Sequence, residues 1–442
     1  MTKGQKIFWI VIIAGMVFRV AILLTAAGDI SRFTTPDSYE YIKLGKNLIT
    51  EGIYSTSDNP PFKPEALRPP AYPVIIGILH SLIGLPLETM LILNILLTVI
   101  TALICYLLAR NIGGETSGII AGAFVFLEGG FAVNNMLILT EAFFTSAVLG
   151  SVYFFIKYLE KRQLGILLLS VLLWTVSIYI RVASLYLFLM FALILLVIKD
   201  SPFKKRLKAG AIVIALGVLS ILPWAFRNYV KFDIPAFSTT GAFVLYCHKA
   251  ASVESELSGI PVKQAQDNLY YRAFGDIPAA AHDDVYRPCG KEITDYYMDR
   301  GISYITDHPF TFIETEIKGI LILLSSPGTK FLSILADVPY QSPSILIEEF
   351  LSNEKRQGYH WLFLLFMVYQ GIFLFILLLG FVYGLFTTKY PASTIVVVAT
   401  AVYFIIIAAD LTTGSRLKIP ALPFMAIISA IGISNFRIRL GR

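Results

Sequence analysis

Two oppositely charged residues, Asp37 and Arg68, stand beside apolar segments near the start of the chain. Asp37 lies in T-P-D-S-Y-E-Y, after the first apolar stretch, and Arg68 lies in A-L-R-P-P-A-Y-P, where the chain becomes apolar again. A carboxylate can take a proton from a hydroxyl, and a guanidinium can bind a phosphate through two parallel hydrogen bonds. The pair suits a base acting beside a lipid phosphate. Two simpler roles stay open, Asp37 as the N-cap of a surface helix and Arg68 as an interfacial arginine.

Two more ionisable residues, Glu141 and Arg181, stand at the junctions of apolar stretches. Glu141 begins one in L-I-L-T-E-A-F-F-T, and Arg181 lies between two in I-Y-I-R-V-A-S-L. A charge inside a membrane is costly, so Arg181 needs a partner or a cavity and is a functional candidate by default. Glu141 could face the same cavity as Asp37. The alternatives are a structural ion pair for Arg181, and a solvated or dipole-stabilised helix start for Glu141.

A third group of polar residues follows in the second half of the chain. P-W-A-F-R-N-Y contains Arg227, F-V-L-Y-C-H-K contains His248, and S-R-L-K-I-P-A-L-P contains Arg416 and Lys418. The simpler alternatives are a surface position for His248 and plain interfacial anchoring for Arg416 and Lys418. Taken together with the first two groups, two carboxylates among several cations suit an anionic lipid head group and a hydroxyl nucleophile.

The composition is that of a polytopic membrane protein. The 442 residues are 56% hydrophobic and 15% charged, whereas a soluble domain has about 25% charged residues. The net charge of +6 does not indicate nucleic-acid binding, because the basic residues lie in short loops beside apolar runs, as topology signals do. The chain has no P-loop, H-E-x-x-H or G-x-S-x-G motif, so no nucleotide, metal or other cofactor is expected.

Stretches of about 20 apolar residues predict membrane-spanning helices. The candidates are 7–27, 88–109, 116–134, 141–158, 164–180, 182–198, 209–226, 361–385, 391–409 and 418–435. The segment 71–85 is apolar but short. The strongest basic loops follow the fourth and sixth of these candidates. All basic loops fall on one side if 71–85 does not cross, so we interpret that segment as re-entrant, with both termini cytoplasmic.

This topology places two long segments outside the cytoplasm. We expect a catalytic transmembrane module over 1–226 with a first outer loop at 28–87, an extracytoplasmic segment over 227–360, and C-terminal transmembrane helices over 361–442. Helices are predicted at 262–273, 290–306 and 309–324, and the last is amphipathic and suited to the membrane surface. Cys247 and Cys289 both lie in the second outer segment and could pair only in an oxidising compartment.

The order and spacing of these motifs resemble the GT-C superfamily of integral-membrane glycosyltransferases. The closest branch holds protein O-mannosyltransferases and the aminoarabinose transferase of lipid A. The motifs are D-S-Y-E-Y with G-I-Y, R-P-P-A-Y-P, L-T-E-A, Y-I-R-V-A, P-W-A-F-R-N-Y, S-T-T-G, D-H-P-F and S-R-L-K-I-P-A-L-P. The resemblance implies an all-α, multi-pass GT-C fold of about 10–11 transmembrane helices. It also implies juxtamembrane helices in the first outer loop and a small α-rich outer segment.

The resemblance also implies a chemistry: a sugar donor on a polyprenyl phosphate, an acceptor that is a lipid, glycan or protein, and no metal. Asp37 matches the expected base and Glu141 a second acidic position. The residues expected at the donor phosphate or sugar are Arg68, Tyr72, Arg181, Arg227, His248, Arg416 and Lys418. The last motif is often Arg-Tyr-Arg and here contains Arg416-Leu417-Lys418.

Three other functions remain compatible with the sequence. A lipid or glycan transporter or flippase would need polar groups through mid-membrane on several helices, whereas here they gather at one face. A ligase that moves an entire glycan has the same residue types as a transferase of one sugar. A non-catalytic scaffold leaves Arg181 unexplained.

Overall fold

The computed structural model describes residues 2–25, 29–199, 201–277, 289–338, 358–389 and 391–440. Within them, the chain is helical, and the β pairing consists of an isolated bridge between Ser55 and Pro64. The first half contains α1 (Lys3–Thr25), α2 (Pro36–Thr50), α3 (Ala71–Ile76), α4 (Glu88–Gly113), α5 (Glu115–Leu127), α6 (Gly129–Asn134), α7 (Glu141–Lys161), α8 (Leu164–Ile180), α9 (Leu187–Val197) and α10 (Phe203–Phe232).

The second half contains α11 (Thr240–Val244), α12 (Ala251–Ser258), α13 (Val262–Asp276), α14 (Lys291–Asp307), α15 (Pro309–Ser325), α16 (Thr329–Ala336), α17 (Gly358–Thr387), α18 (Ala392–Ala408) and α19 (Leu422–Leu440). Short 3-10 turns lie at Ile30–Phe33 and Val182–Ser184, and π-helical turns follow α3 and α11 at Gly77–Leu82 and Leu245–Ala250. The all-α fold predicted from the sequence is confirmed.

Several helices have the length and composition of membrane spans. Among the described residues these are Gly4–Leu24, Glu88–Gly113, Glu141–Lys161, Phe203–Phe232 and Trp361–Thr387. Shorter apolar helices lie at Ala71–Leu82, Glu115–Leu127, Leu164–Ile180, Val182–Val197, Ala392–Ala408 and Leu422–Ile438. The chain is therefore an integral membrane protein, as predicted. The residues 71–85 form a helix shorter than a span, in line with their interpretation as a non-crossing segment.

Helix α7 lies at the centre of the bundle and α1 at its periphery. Most residues of α7 are buried, whereas α1 exposes Ile10, Val17 and Leu24. In water such exposure would be unfavourable, but in a bilayer it faces lipid, which is as apolar as leucine. α7 packs on α8 through a short turn, so the start of α7 and the end of α8 lie at the same end of the bundle.

Two predicted spans are interrupted in the structure. The stretch 116–134 ends as a helix at Leu127, because Glu128 is extended and caps the short helix α6. The predicted span 418–435 begins as a helix only at Leu422, since residues 411–421 form turns around Pro420. In both places the interruption brings a charged side chain into the protein interior.

The segment after α10 has a second hydrophobic core, separate from the membrane bundle, in which Tyr246, Leu269 and Tyr297 are buried. The helices predicted at 262–273, 290–306 and 309–324 are present as α13, α14 and α15. Cys247 and Cys289 are free thiols rather than a pair. The remainder of the predicted segment 227–360, at 278–288 and 339–357, lies outside the described residues, and its domain boundaries stay predictions.

Candidate active site

The N-terminal part of α2 places two carboxylates on one helix face. Thr35 is the N-cap: its side chain accepts from Ser38 N, and the Ser38 side chain accepts from Thr35 N, which together form a capping box. Asp37 therefore does not cap the helix, and its carboxylate is available for other contacts. Glu40 follows Asp37 by three residues, so the two side chains project from the same side.

Arg68 bridges these two carboxylates. Its Nη2 donates to Asp37 Oδ1 at 2.7 Å, and its Nε and Nη2 donate to Glu40 Oε2 at 3.1 and 2.9 Å. The backbone around Arg68 is fixed because the Tyr54 hydroxyl donates to the carbonyls of Arg68 and Pro69, both at 3.0 Å. The alternative of a solvated interfacial arginine is excluded, since the guanidinium is held by two acids.

Helix α2 lies in close contact with α3 and the π-helical turn after it, and this contact sets the distance between Asp37 and the residues that follow Arg68. A Cβ atom on Gly45 would lie 2.3 Å from the Pro73 carbonyl oxygen, and one on Gly77 would lie 2.5 Å from the Gly45 carbonyl oxygen. Two glycines therefore allow the backbones to touch.

Glu141 forms the second centre of the site. It is the first residue of α7 and is buried. Its Oε1 accepts from Arg181 Nη1 at 2.6 Å and from Arg416 Nε. The loop that presents Arg181 is tied back to α8, since Trp174 Nε1 donates to the Ser184 carbonyl at 2.8 Å. Glu141 is therefore not a solvated helix start.

Arg416 joins the two centres. Its Nε binds Glu141, and its Nη1 donates to Asp37 Oδ2. The result is a continuous chain of alternating charges, which we call the charge network: Glu40, Arg68, Asp37, Arg416, Glu141 and Arg181. Three carboxylates face three guanidiniums, so the formal charges of the network cancel.

The charge network favours ionised groups. Burial alone would raise the pKa of Asp37, but Arg416 and Arg68 outweigh it, so the pKa of Asp37 lies well below its usual range. Burial would lower the pKa of Arg416, but Glu141 and Asp37 outweigh it, so that pKa lies above its usual range. Asp37 is thus a carboxylate at neutral pH that interacts with two cations.

Tyr72 borders the charge network without a bond to it. Its ring packs edge-on against Tyr41 at 5.2 Å and Phe143 at 5.4 Å between ring centroids. Its hydroxyl, like Glu141 Oε2, is buried and has no hydrogen-bond partner within the described part of the chain. Two unpaired polar atoms beside the charge network suit hydrogen bonds to a ligand.

Three other predicted donor-binding residues lie outside the network. Arg227 Nη1 donates to the Glu65 carbonyl at 2.6 Å, and its guanidinium lies 4.8 Å from the Trp224 ring centroid. His248 Nδ1 is 2.5 Å from Thr412 Oγ1, on the loop that leads to Arg416.

Lys418 lies two residues after Arg416 and is 2% exposed. Its Nζ donates to the Ser326 carbonyl at 2.7 Å and lies 3.7 Å from Glu128 Oε1. The alternative of interfacial anchoring does not fit a lysine buried this deeply. In the structure Lys418 contacts protein groups and holds the Arg416 loop against the turn that follows α15.

Sequence analysis missed two acidic residues, Glu40 and Glu128. Glu40 stands in the quoted motif D-S-Y-E-Y, and its spacing of three from Asp37 on a helix was the available signal. Glu128 interrupts an apolar stretch and is followed by two glycines, which marks an ionisable residue at membrane depth. No group of three or more metal-ligating side chains is found among the described residues.

Comparison with known proteins agrees with this architecture. Residues 67–224 match the family model described as dolichyl-phosphate-mannose-protein mannosyltransferase. The matched range includes Arg68, Tyr72, Glu141 and Arg181. No curated protein sequence matches the chain.

One solved structure, that of AglB, shares the fold at low sequence identity. The archaeal oligosaccharyltransferase AglB from Archaeoglobus fulgidus, in complex with an inhibitory peptide and a dolichol-phosphate, is 14% identical with a TM-score of 0.54. The match covers 99% of this chain and 51% of AglB, so the chain spans about half the length of that relative. ArnT from Cupriavidus metallidurans, bound to undecaprenyl phosphate, is 11% identical with a TM-score of 0.37, covering 97% and 77% of the two chains.

The resemblance to the GT-C superfamily is thereby confirmed. The chain has the GT-C fold.

Proposed function

We propose that the protein transfers a sugar from a polyprenyl-phosphate donor to a hydroxyl of a lipid, glycan or protein acceptor. The observation that supports this most is the charge network, which places a candidate base, Asp37, between two guanidiniums at the ends of membrane helices. AglB, which shares the fold, was solved with a dolichol-phosphate. The proposed carrier lipid has the same chemical class.

We place the reaction on the extracytoplasmic side. The site lies where α7 begins and α8 ends. The connections at the other end of the bundle contain Arg110, Lys161, Arg162 and the basic start of α10. Basic loops mark the cytoplasmic side, so the charge network faces away from it. The prenyl tail would lie between spans in the bilayer.

The donor phosphate binds the guanidiniums of the charge network, in this proposal Arg68, Arg181 and Arg416. The acceptor oxygen attacks the anomeric carbon, the bond between that carbon and the phosphate oxygen breaks, and the polyprenyl phosphate leaves with the bonding electrons. Asp37 takes the acceptor proton. The guanidiniums stabilise the negative charge that develops on the leaving phosphate. A single displacement of this kind inverts the anomeric configuration.

Because Asp37 is paired with two guanidiniums, donor binding also changes how basic this carboxylate is. A carboxylate between two guanidiniums is a weak base, because the cations stabilise its ionised form. When the donor phosphate shares Arg68 and Arg416, each cation interacts less with Asp37, and the carboxylate becomes more basic. Donor binding therefore prepares the base before the acceptor reacts. Glu141 keeps Arg416 and Arg181 in place through its Oε1.

The remaining candidates have supporting positions in this scheme. Tyr72 lies beside the network and can offer its buried hydroxyl to the sugar or phosphate. His248 and Lys418 contact the loop that contains Arg416, and Arg227 holds the chain before Arg68 through the Glu65 carbonyl. These residues act on the donor through the position of the arginines.

The test is transfer from a panel of radiolabelled polyprenyl-phosphate sugars to membrane extract. Wild type is compared at matched expression with Asp37→Asn and with a control, Asp267→Asn, which removes a carboxylate from an exposed pair with Lys263. We expect label in an acceptor with wild type and the control, and at least about a hundredfold less with Asp37→Asn. Equal transfer by Asp37→Asn would remove it as the base.

The same panel distinguishes the other functions. Label that crosses the membrane without reaching an acceptor would support a transporter or flippase. Transfer that occurs only from donors with an assembled glycan, and not from single sugars, would support a ligase.

A further inference from the structure

Glu40 occupies the part of Arg68 that a phosphate would need. Both Nε and Nη2 of Arg68 donate to Glu40 Oε2. That edge is one of the two edges of a guanidinium whose parallel donors can bind a phosphate in a bidentate manner. A donor phosphate that takes this edge must displace the Glu40 carboxylate.

The three carboxylates of the charge network are not held equally. Glu141 is buried beneath two guanidiniums, and Asp37 also has two. Glu40 pairs with one guanidinium of the network, that of Arg68. Of the three carboxylates, Glu40 therefore has the fewest guanidinium partners within the network.

A cavity beside Glu40 gives this side chain a second position. The cavity has a volume of about 330 Å³ and is lined by Pro36, Tyr39, Glu40, Lys43 and Thr56. Lys43 stands one helical turn after Glu40, the spacing at which opposite charges on a helix pair. Lys43 now pairs with Asp58 at 2.6 Å, but both side chains are well exposed. Such surface pairs are weak and exchange readily.

We propose that Glu40 is an internal counter-anion that neutralises Arg68 in the empty site, gives way to the donor phosphate, and then pairs with Lys43 at the cavity. This inference rests on the proposed function, because it takes the ligand of Arg68 to be a polyprenyl phosphate. It assigns a role to Glu40 and Lys43 as positioning residues that set donor affinity, and neither takes part in the transfer step itself.

The charges of the site give the physical reason for such a device. Three guanidiniums without a third carboxylate would leave a net positive charge in a partly buried site, which is costly when the site is empty. A phosphodiester that bound while Glu40 stayed in place would meet a like charge at short range. Movement of Glu40 avoids both costs, and the site remains neutral before and after binding.

The test is binding of farnesyl phosphate to purified protein in nanodiscs of neutral lipid, followed by tryptophan fluorescence. We expect Glu40→Gln to bind about five- to tenfold more tightly than wild type, because a competing anion is removed at a partly exposed site. We expect Lys43→Met to bind several-fold more weakly. With the sugar donor, Glu40→Gln should lower KM more than it changes kcat.

The double variant separates the proposed mechanism from a direct attraction between Lys43 and the phosphate. If Lys43 acts by accepting Glu40, then Lys43→Met has no effect in the Glu40→Gln background. If Lys43→Met still weakens binding in the Glu40→Gln background, then the proposed movement of Glu40 from Arg68 to Lys43 is wrong. Glu256→Gln is the matched control, since it removes a carboxylate of similar exposure that pairs with Lys318, and it should bind like wild type.

The outcomes distinguish the inference from the proposed function. Binding by wild type with no gain in Glu40→Gln overturns the role of Glu40 and leaves the donor proposal intact. If wild type and Arg68→Met both fail to bind farnesyl phosphate at the same concentrations, the donor proposal is overturned, and this inference with it.

Discussion

Asp37 and Arg416 are separated by 379 positions in the chain and are joined by an ion pair. Arg416 also binds Glu141, so one guanidinium links α2, the start of α7 and the loop before the last helix. Neither half of the chain contains the site alone. The geometry at Asp37 consequently depends on the position of the last loop.

Replacement of Arg416 tests this link directly. A lysine keeps the charge but cannot hold two carboxylates through a planar fork, so Arg416→Lys should lose activity nearly as strongly as Arg416→Met. We expect kcat/KM to fall by about a hundredfold, which is typical of losing a group that stabilises developing charge. Steady-state transfer assays would measure it, with Arg437→Lys on the exposed end of α19 as control. Normal kinetics in Arg416→Lys would mean that the fork is not required.

Replacement of Glu141 should affect stability as well as activity. The Glu141→Gln variant leaves Arg181 and Arg416 without their shared buried anion, and breaking a buried ion pair costs about 3–5 kcal/mol. The free energy of unfolding in detergent micelles should fall by about this amount. Glu115→Gln, which removes a partly exposed carboxylate that pairs with the half-exposed Arg110, should cost less than about 1 kcal/mol. An equal effect of the two variants would show that the buried arrangement contributes no special stability.

The sequence predicted which residues belong to the charge network better than it predicted the ion pairs that they form. Asp37, Arg68, Glu141, Arg181 and Arg416 were identified because charges at the ends of apolar segments are costly unless they are used. Their pairing could not be predicted, since ion pairs between distant segments depend on how the helices pack.

Other details that the sequence did not predict also depend on how the helices pack. The long apolar run over 116–134 predicted one span, although Glu128 ends the helix within it. The role of Lys418 at the donor stays a prediction, and in the structure its ammonium group contacts Ser326 and lies near Glu128 in the interior. Local hydropathy predicts spans well, but it does not show which turn will bury a charge. The general fold, by contrast, follows from hydropathy and helix length.

The lowered pKa of Asp37 predicts how stability changes with pH. Because the folded-state pKa lies below the ordinary value of about 3.9, the stabilisation by Asp37 is fully present above that value and is lost as the pH falls through the lower folded-state pKa. The difference in unfolding free energy between wild type and Asp37→Asn should be constant from about pH 5 to 8 and shrink below about pH 4. Chemical unfolding across this range would measure it. A difference that disappears near neutral pH would contradict the network.

Arg227 should separate structure from donor binding. Its side chain donates to the Glu65 carbonyl and to Asn228 Oδ1, and it packs on the rings of Trp224, Phe232 and Tyr54. Arg227→Met loses a hydrogen bond from a charged group, worth about 1.5–3 kcal/mol. We expect lower thermal stability, with a loss of affinity for farnesyl phosphate smaller than that in Arg68→Met, because Arg227 acts on the donor only through the chain before Arg68. A loss of affinity as large as that in Arg68→Met would return Arg227 to the donor site.

The buried pair of Lys418 and Glu128 offers a prediction about how the Arg416 loop is held. Removing either charge alone leaves the other buried without its partner, so Lys418→Met and Glu128→Gln should each cost about 3–5 kcal/mol. The double variant removes both charges and should recover much of that loss, because its remaining groups are neutral.

The measurement is the unfolding free energy of the four proteins in detergent, together with kcat for transfer. Stability recovered in the double variant without recovered kcat would show that the pair also positions Arg416, since a purely structural pair would restore both. Additive losses of stability would show that Lys418 and Glu128 do not interact, despite the 3.7 Å between Nζ and Oε1.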